Sequence, residues 1–184
     1  ADEAACEARM APLLAEVRQR LGGYLYGEDI SGLEEAVFRL CRDRHLTLSA
    51  AESCTGGLIA KRLTDVPGAS QIFLGGVVSY TNEVKNHVLG VPASLLEAYG
   101  AVSAPVARAM AVGVRVLTGS DLSLSVTGLA GPVGTVFTAL SAPEGVFVRR
   151  LTLGGSRERI RVLSAHHAFD LLRRYLTDQM TEGE

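Results

Sequence analysis

Ser53 lies in the run AESCTGG, Ala51–Gly57, where an apolar stretch gives way to two glycines and then to a helix-forming segment. A strand that feeds a glycine turn and a helix start leaves backbone N–H groups unpaired at the positive end of the helix dipole. Such a junction can bind a phosphate or stabilise an oxyanion. Ser53 is the first candidate nucleophile, weak until a neighbouring base takes its proton; a serine here equally serves as a helix cap. Cys54 is its rival, because a helix terminus can lower a thiol pKa, although a buried and inert thiol is the plainer reading. Thr55 offers a cap or a ligand donor. Glu52 offers a carboxylate to orient a base or bind a ligand amine. Gly56 and Gly57 allow a tight turn and close ligand approach. The run is neither a P-loop nor G-x-G-x-x-G, since the lysine and the spacing are absent.

A second cluster, SYTNEVK at Ser79–Lys85, leaves the next apolar stretch. A lysine in an apolar pocket loses basicity and becomes a proton acceptor. Lys85 is therefore a candidate base, and Tyr80 a candidate proton relay or hydrogen-bond donor. The bland alternative puts Lys85 in solvent and Tyr80 at a sheet edge. Asn82 caps the following helix or touches ligand. A third cluster, SVTGLAGP at Ser125–Pro132, presents Thr127, Gly128, Ala130 and Gly131 in a loop whose N–H groups can face a substrate; turn formation explains its glycines equally well. Arg157, Arg159 and Arg161 follow Gly154-Gly155-Ser156, and one of them, or Arg149 or Arg150, is a candidate phosphate contact, against the reading of a solvated helix start.

These residues need a scaffold. The chain has 184 residues, 47% of them hydrophobic and 21% charged, enough for one sizeable domain with an appendage and incompatible with general disorder. The formal charge of −2 excludes a large positive field, so direct nucleic-acid binding is not expected. Cys6, Cys41 and Cys54 are widely spaced, and His45, His87, His166 and His167 form no metal motif. Neither a zinc site, a disulfide scaffold nor a cofactor is expected, and a reducing cytoplasm fits. No apolar run reaches the roughly 20 residues of a membrane span.

Periodicity and breakers predict a helix over residues 2–21, ended by Gly22-Gly23. Ser31 and Glu34 read as a capping box opening a helix that ends near Arg44. Strands are predicted at 45–51 and 73–80, with a helix at 58–63 between them. Gly75 and Gly76 mark a bulge or a close approach in the second strand. Short helices at 82–89 and from Pro92 precede a longer one that Ser103-Ala104-Pro105 opens. Strands follow at 122–126, 133–140 and 145–153, and a helix at 158–176. The loop between the first two of these is too short for a parallel crossover, so they form an antiparallel hairpin or residues are missing between them. The order implies a three-layer α/β/α sandwich with a mixed, mostly buried sheet. Residues 1–30 read as a helical arm or the remnant of a preceding domain, and residues 31–184 as the main domain.

Together, AESCTGG, LTDVPGASQIFLGGVVSYTNEVK at Leu63–Lys85, LGVP at Leu89–Pro92, GAVS at Gly100–Ser103 and VTGLAGPVGTV at Val126–Val136 resemble the carboxyl-terminal domain of the CinA family. The resemblance runs over about Leu33–Leu176, and the set in this order is highly specific. The family includes nicotinamide-nucleotide amidases. The resemblance therefore implies hydrolysis of nicotinamide mononucleotide to nicotinate mononucleotide and ammonia, with Ser53 in the nucleophile position, Lys85 in the base position and Tyr80 in the assisting position. It also implies a homo-oligomer, a dimer at least, and a preceding domain of the same polypeptide, which EARMAPLLAEVRQRLGGYLYGED resembles in its joining region. The competing expectation is a non-catalytic nucleotide-binding or regulatory domain. One departure stands out. Family members carry a longer glycine-containing loop between GP and VGTV, whereas Val133 follows Pro132 directly here; the close match of the flanks favours residues missing between them over a true deletion, which would bear on how the site closes over substrate.

Overall fold

The computed structural model describes residues 2–129 and 133–180. The chain forms two compact units, Ala1–Ile30 and Ser31–Glu184. In the first, α1 (Glu3–Leu21) starts at Asp2, whose carboxylate accepts from the Ala4 N–H, and buries none of its residues. Arg18 grips Glu28 with two hydrogen bonds, 2.6 and 2.8 Å.

The second unit is built on a five-stranded sheet. Its strands are β1 (Leu48–Glu52), β2 (Phe73–Val78), β3 (Leu122–Gly128), β4 (Val133–Ala142) and β5 (Gly145–Gly154), in the order β2-β1-β3-β4-β5. β1 pairs in parallel with β2 and β3, while β3–β4 and β4–β5 are antiparallel. The sheet is thus mixed, and the short β3–β4 connection gives the hairpin its length demands. α2 (Leu33–Asp43), α3 (Leu58–Thr64) and α7 (Arg157–Leu176) cover one face; α6 (Ala104–Thr118) lies across the other, with α5 (Ala93–Tyr99) against it. The α/β class and three layers are those read from the sequence.

Burial explains the strands. All five residues of β1 are buried, as expected where helices cover both faces. In β3, Leu122, Leu124 and Val126 enter the core beneath α7. The alternating Ser123 and Ser125 face α6 and donate to the Ala111 and Ala107 carbonyls, both at 2.6 Å. These bonds satisfy hydroxyls that would otherwise be costly to bury. Close approach recurs at two glycines. A Cβ on Gly76 would lie 2.9 Å from the Ala50 oxygen, and one on Gly113, inside α6, 1.9 Å from the Leu89 oxygen. β2 also carries one extra residue against β1, with Leu48 opposite Phe73 but Ser49 opposite Gly75. The bulge and the close approach expected at Gly75-Gly76 are both there.

One local expectation is corrected. Ser31 does not box with Glu34. Its N–H and hydroxyl both bind Glu35 at 2.8 Å, the helix begins after Gly32, and Glu34 pairs instead with Arg62. Along α7, Ser164, Ala165, Ala168, Phe169 and Leu172 carry the buried face with Ile160 and Leu171, while His167 is half-buried.

Candidate active site

Two parallel neighbours that end in register must end side by side. Glu52, the last residue of β1, lies opposite Val78, the last residue of β2. Ser53 and Ser79 therefore leave the sheet together. The Ser53 N–H bonds the Val126 oxygen at 2.9 Å and the Ser79 N–H bonds the Glu52 oxygen at 2.7 Å, which extends the ladder one step beyond the strands. The chain then turns through α4 (Asn82–His87), capped by Thr81, whose hydroxyl accepts from the Val84 N–H. One helical turn sends Lys85 back under the strand ends.

Lys85 is 1% exposed, and its Nζ lies 3.0 Å from Ser53 Oγ and 2.6 Å from the Ser79 carbonyl oxygen. No carboxylate pairs with it among the described residues. Burial holds its amine below the ordinary 10.5, because an ammonium stripped of water and left without a counter-ion is disfavoured. With Lys85 charged, Nζ donates to Ser53 Oγ. With Lys85 neutral, the same contact reverses: the Ser53 hydroxyl donates to the Nζ lone pair while an Nζ–H stays on the Ser79 oxygen. A serine hydroxyl aligned on a desolvated amine is an arrangement that can pair a nucleophile with a base.

The loop between β1 and α3 is shaped by Glu52. Its carboxylate is buried and accepts from three N–H groups: Gly57 and Ile59 at 3.0 Å through Oε2, and Ala60 at 2.9 Å through Oε1. These are the orphan donors of the α3 N-terminus. The capping role weighed for Ser53 thus falls to Glu52, and Ser53 is left to Lys85. Gly56 and Gly57 have φ of +60° and +95°, which other residues adopt with strain. The Cys54 thiol is buried, and desolvation pushes it up to about 11. It is protonated at neutral pH, so the rival nucleophile is inert. Thr55 is fully buried, and its Oγ1 has no hydrogen-bond partner among the described residues.

The other sequence candidates divide. Tyr80 is 58% exposed, two residues past β2, and its hydroxyl accepts from Arg157 Nη2 at 2.7 Å. Asn82 is the exposed first residue of α4 and leaves the capping to Thr81. Thr127 is buried and donates to the Ala101 carbonyl at 2.7 Å, so its hydroxyl holds the α5–α6 connection. A Cβ on Gly128 would lie 2.7 Å from Val136 Cγ2, so this glycine serves the close pairing of β3 with β4. Ala130 and Gly131 lie outside the described residues. Arg149 pairs with Asp170 at 3.2 Å. No cluster of three or more metal-ligating side chains occurs among the described residues, and no described helix is long and apolar enough to cross a membrane.

Sequence reasoning missed one contributor and gave another, Arg161, a phosphate-binding role in place of the one seen here. Ser79 acts through its backbone oxygen, for which side-chain chemistry gives no signal. Arg161 holds the Thr55 carbonyl oxygen through Nη2 at 2.8 Å and Nε at 3.3 Å, bracing the loop from α7. The four-residue spacing of Arg157 and Arg161, which puts both on one helix face, was the available clue.

Comparison with known proteins agrees with this architecture. The family model described as CinA C-terminal domain matches residues 30–176. A putative competence-damage inducible protein of Caldanaerobacter subterraneus is 52% identical over 169 residues, covering 88% of this chain and 41% of the relative. A CinA-like protein of Desulfotalea psychrophila is 51% identical over 168 residues, covering 87% and 41%. The chain thus spans less than half the length of these curated relatives. Among solved structures, a competence-damaged protein (CinA) superfamily protein of Klebsiella pneumoniae superposes with a TM-score of 0.77 at 30% identity, over 79% of this chain and 96% of that one. The competence/damage inducible protein CihA of Agrobacterium tumefaciens gives 0.75 at 35% identity, over 83% and 98%.

Proposed function

The chain belongs to the CinA C-terminal domain family, and from that premise we propose that it hydrolyses the carboxamide of nicotinamide mononucleotide to nicotinate mononucleotide and ammonia. The observation that carries this reading is the buried Lys85 amine, 3.0 Å from Ser53 Oγ and without a carboxylate partner among the described residues. A lysine meant only to bind an anion or cover a surface does not need to be desolvated against a serine hydroxyl. A serine–lysine pair is one of the recurring solutions to amide hydrolysis.

The geometry supports the following steps. Neutral Lys85 accepts the Ser53 proton as Oγ bonds to the carboxamide carbon. The carbonyl electron pair moves to oxygen, and nearby N–H groups stabilise that charge. Those of Cys54 and Thr55 engage no backbone acceptor among the described residues, whereas the Ser53 and Gly56 amides are already bonded. The C–N bond then breaks and Lys85 returns its proton to the departing nitrogen, which leaves as ammonia. Water, deprotonated by the same amine, attacks the Ser53 ester; the bond from the acyl carbon to Oγ breaks, Lys85 returns the proton to Oγ, and the acid leaves as its carboxylate. The orphaned Thr55 hydroxyl in the same loop supports a functional reading, since native structures leave few such groups unpaired.

The test is ammonia release from nicotinamide mononucleotide by wild type and Ser53→Ala. The variant should keep its fold and lose turnover by at least about 10³-fold. The wild-type rate should rise with pH through the lowered titration of Lys85. Turnover unchanged in Ser53→Ala would remove the nucleophile. No release by wild type, with the nucleotide still bound, would make the domain a binding module.

A further inference from the structure

We propose that Arg157 is a positioning residue that acts through Tyr80, holding the phenol oxygen so that Tyr80 serves the reaction as a hydrogen-bond donor and not as a proton relay. The proposal rests on the Ser53–Lys85 pair being the reacting centre.

Arg157 is the first residue of α7, whose start is fixed by Ser156 Oγ accepting from the Arg159 N–H at 3.2 Å. One turn on, Arg161 grips the Thr55 carbonyl, so this end of α7 is anchored on the loop that carries Ser53. Both guanidinium groups bear electrostatically on the Cys54 thiol, the residue after Ser53. From the same helix face, Arg157 Nη2 reaches Tyr80 at 2.7 Å across 77 residues of sequence. Tyr80 is more than half exposed, so packing does not fix its ring. Without a partner its hydroxyl would be spread over rotamers; the bond to Arg157 selects one of them.

The direction of this bond decides the chemistry. Arginine stays protonated and has no acceptor, so the phenol oxygen must accept. An oxygen already taking a charge-assisted bond is a poorer acceptor for the Ser53 proton. Its own O–H is polarised into a better donor. Lys85 therefore takes the proton unaided, and Tyr80 offers its hydrogen to the reacting carboxamide.

The test is a double-mutant cycle with Tyr80→Phe, Arg157→Ala and the pair, with Arg157→Lys as the conservative variant and circular dichroism to verify folding. Two rates are read: turnover of nicotinamide mononucleotide, and labelling of Ser53 by phenylmethylsulfonyl fluoride, followed by intact mass. In labelling, the Ser53 oxygen bonds to sulfur, fluoride leaves and the hydroxyl proton passes to Lys85, so no pyridine nucleotide is needed. Each single variant should lower kcat, and the labelling rate, by about 10-fold or more with KM little changed, in keeping with loss of a charge-assisted hydrogen bond. Arg157→Ala should cost less than about 2-fold further in the Tyr80→Phe background, and Arg157→Lys should recover part of the loss.

An undiminished Arg157→Ala effect in that background would overturn the proposal. So would a raised KM with kcat intact, which would make Arg157 a contact for a ligand anion. The amidase reading fails separately: coupled losses in labelling without nucleotide turnover would sink it and leave Arg157's role standing. Turnover with additive losses would do the reverse.

Discussion

Replacing Glu52 by glutamine separates a carboxylate that shapes the site from one that reacts in it. The side chains have the same shape, but Glu52 accepts three N–H groups at the start of α3, two through one oxygen and one through the other. A glutamine carbonyl can keep the Gly57 and Ile59 bonds. Its NH2 group then faces the Ala60 N–H, donor against donor, with Glu52 only 1% exposed. Losing one bond to a buried charged acceptor costs about 1.5–3 kcal/mol, and losing negative charge at a helix N-terminus adds about 0.3–1 kcal/mol. The expected destabilisation is about 2–4 kcal/mol, or a Tm lowered by about 5–15 °C in a chain of this size. Urea midpoints and thermal melts measure it directly, with ammonia release followed in parallel. Activity should fall in step with the loosening of the loop and return in part at low temperature or with a stabilising osmolyte. A variant as stable as wild type but without turnover would refute the reasoning. It would return Glu52 to the chemical role that its place beside Ser53 first implied.

Three further outcomes follow from burial. Because the folded-state pKa of Lys85 lies below 10.5, the unfolded chain binds more protons between the two values, and stability rises with pH across that window. Wild type should therefore gain stability relative to Lys85→Met as pH rises from neutral towards 10.5, and a constant gap between their urea midpoints would show that the charged amine carries no desolvation cost. Cys6 is exposed, whereas burial pushes Cys41 up to about 12 and Cys54 up to about 11; brief iodoacetamide treatment near pH 8 should add one adduct to the native protein and three in urea, and early labelling at Cys54 would contradict its burial. Gly113→Ala should cost about 3 kcal/mol through the clash with the Leu89 carbonyl, against the roughly 1 kcal/mol that alanine gains over glycine in an open helix; a raised Tm would show that the α4–α5 connection yields freely.

Apolar runs bounded by glycine and proline turns, more than any motif, made the fold legible. Segments rich in Val, Leu and Ala became strands, and the short β3–β4 spacing forced an antiparallel pair. β3 shows the limit. LSLSV alternates serine with apolar residues, and both faces are buried as the sequence reading had it, but the α6 carbonyls that satisfy the serines leave no local pattern. The site was legible in its residue types. Ser53 and Lys85 stand after neighbouring strands, and parallel pairing in register brings them together. Assigning their neighbours was harder, because several polar groups compete for each helix end. Glu52 outcompeted Ser53 at α3, Thr81 took the place expected of Asn82 at α4, and Glu35 displaced Glu34 at α2. Such contests are settled by distances of an ångström or less, below what residue spacing records.

The extra residue in β2 reaches beyond the site. β2 is the outermost strand on its side of the sheet, and an unpartnered strand edge invites foreign chains to add to it. Leu74 and Val78 are about half exposed there, which would make a regular edge adhesive. The slip between Phe73 and Gly75 breaks the even row of donors and acceptors that an incoming strand would have to match. The irregularity that carries Ser79 alongside Ser53 thereby also guards the flank of the sheet against fibre-like stacking, and trimming it away would expose the protein to aggregation as well as misalign its chemistry.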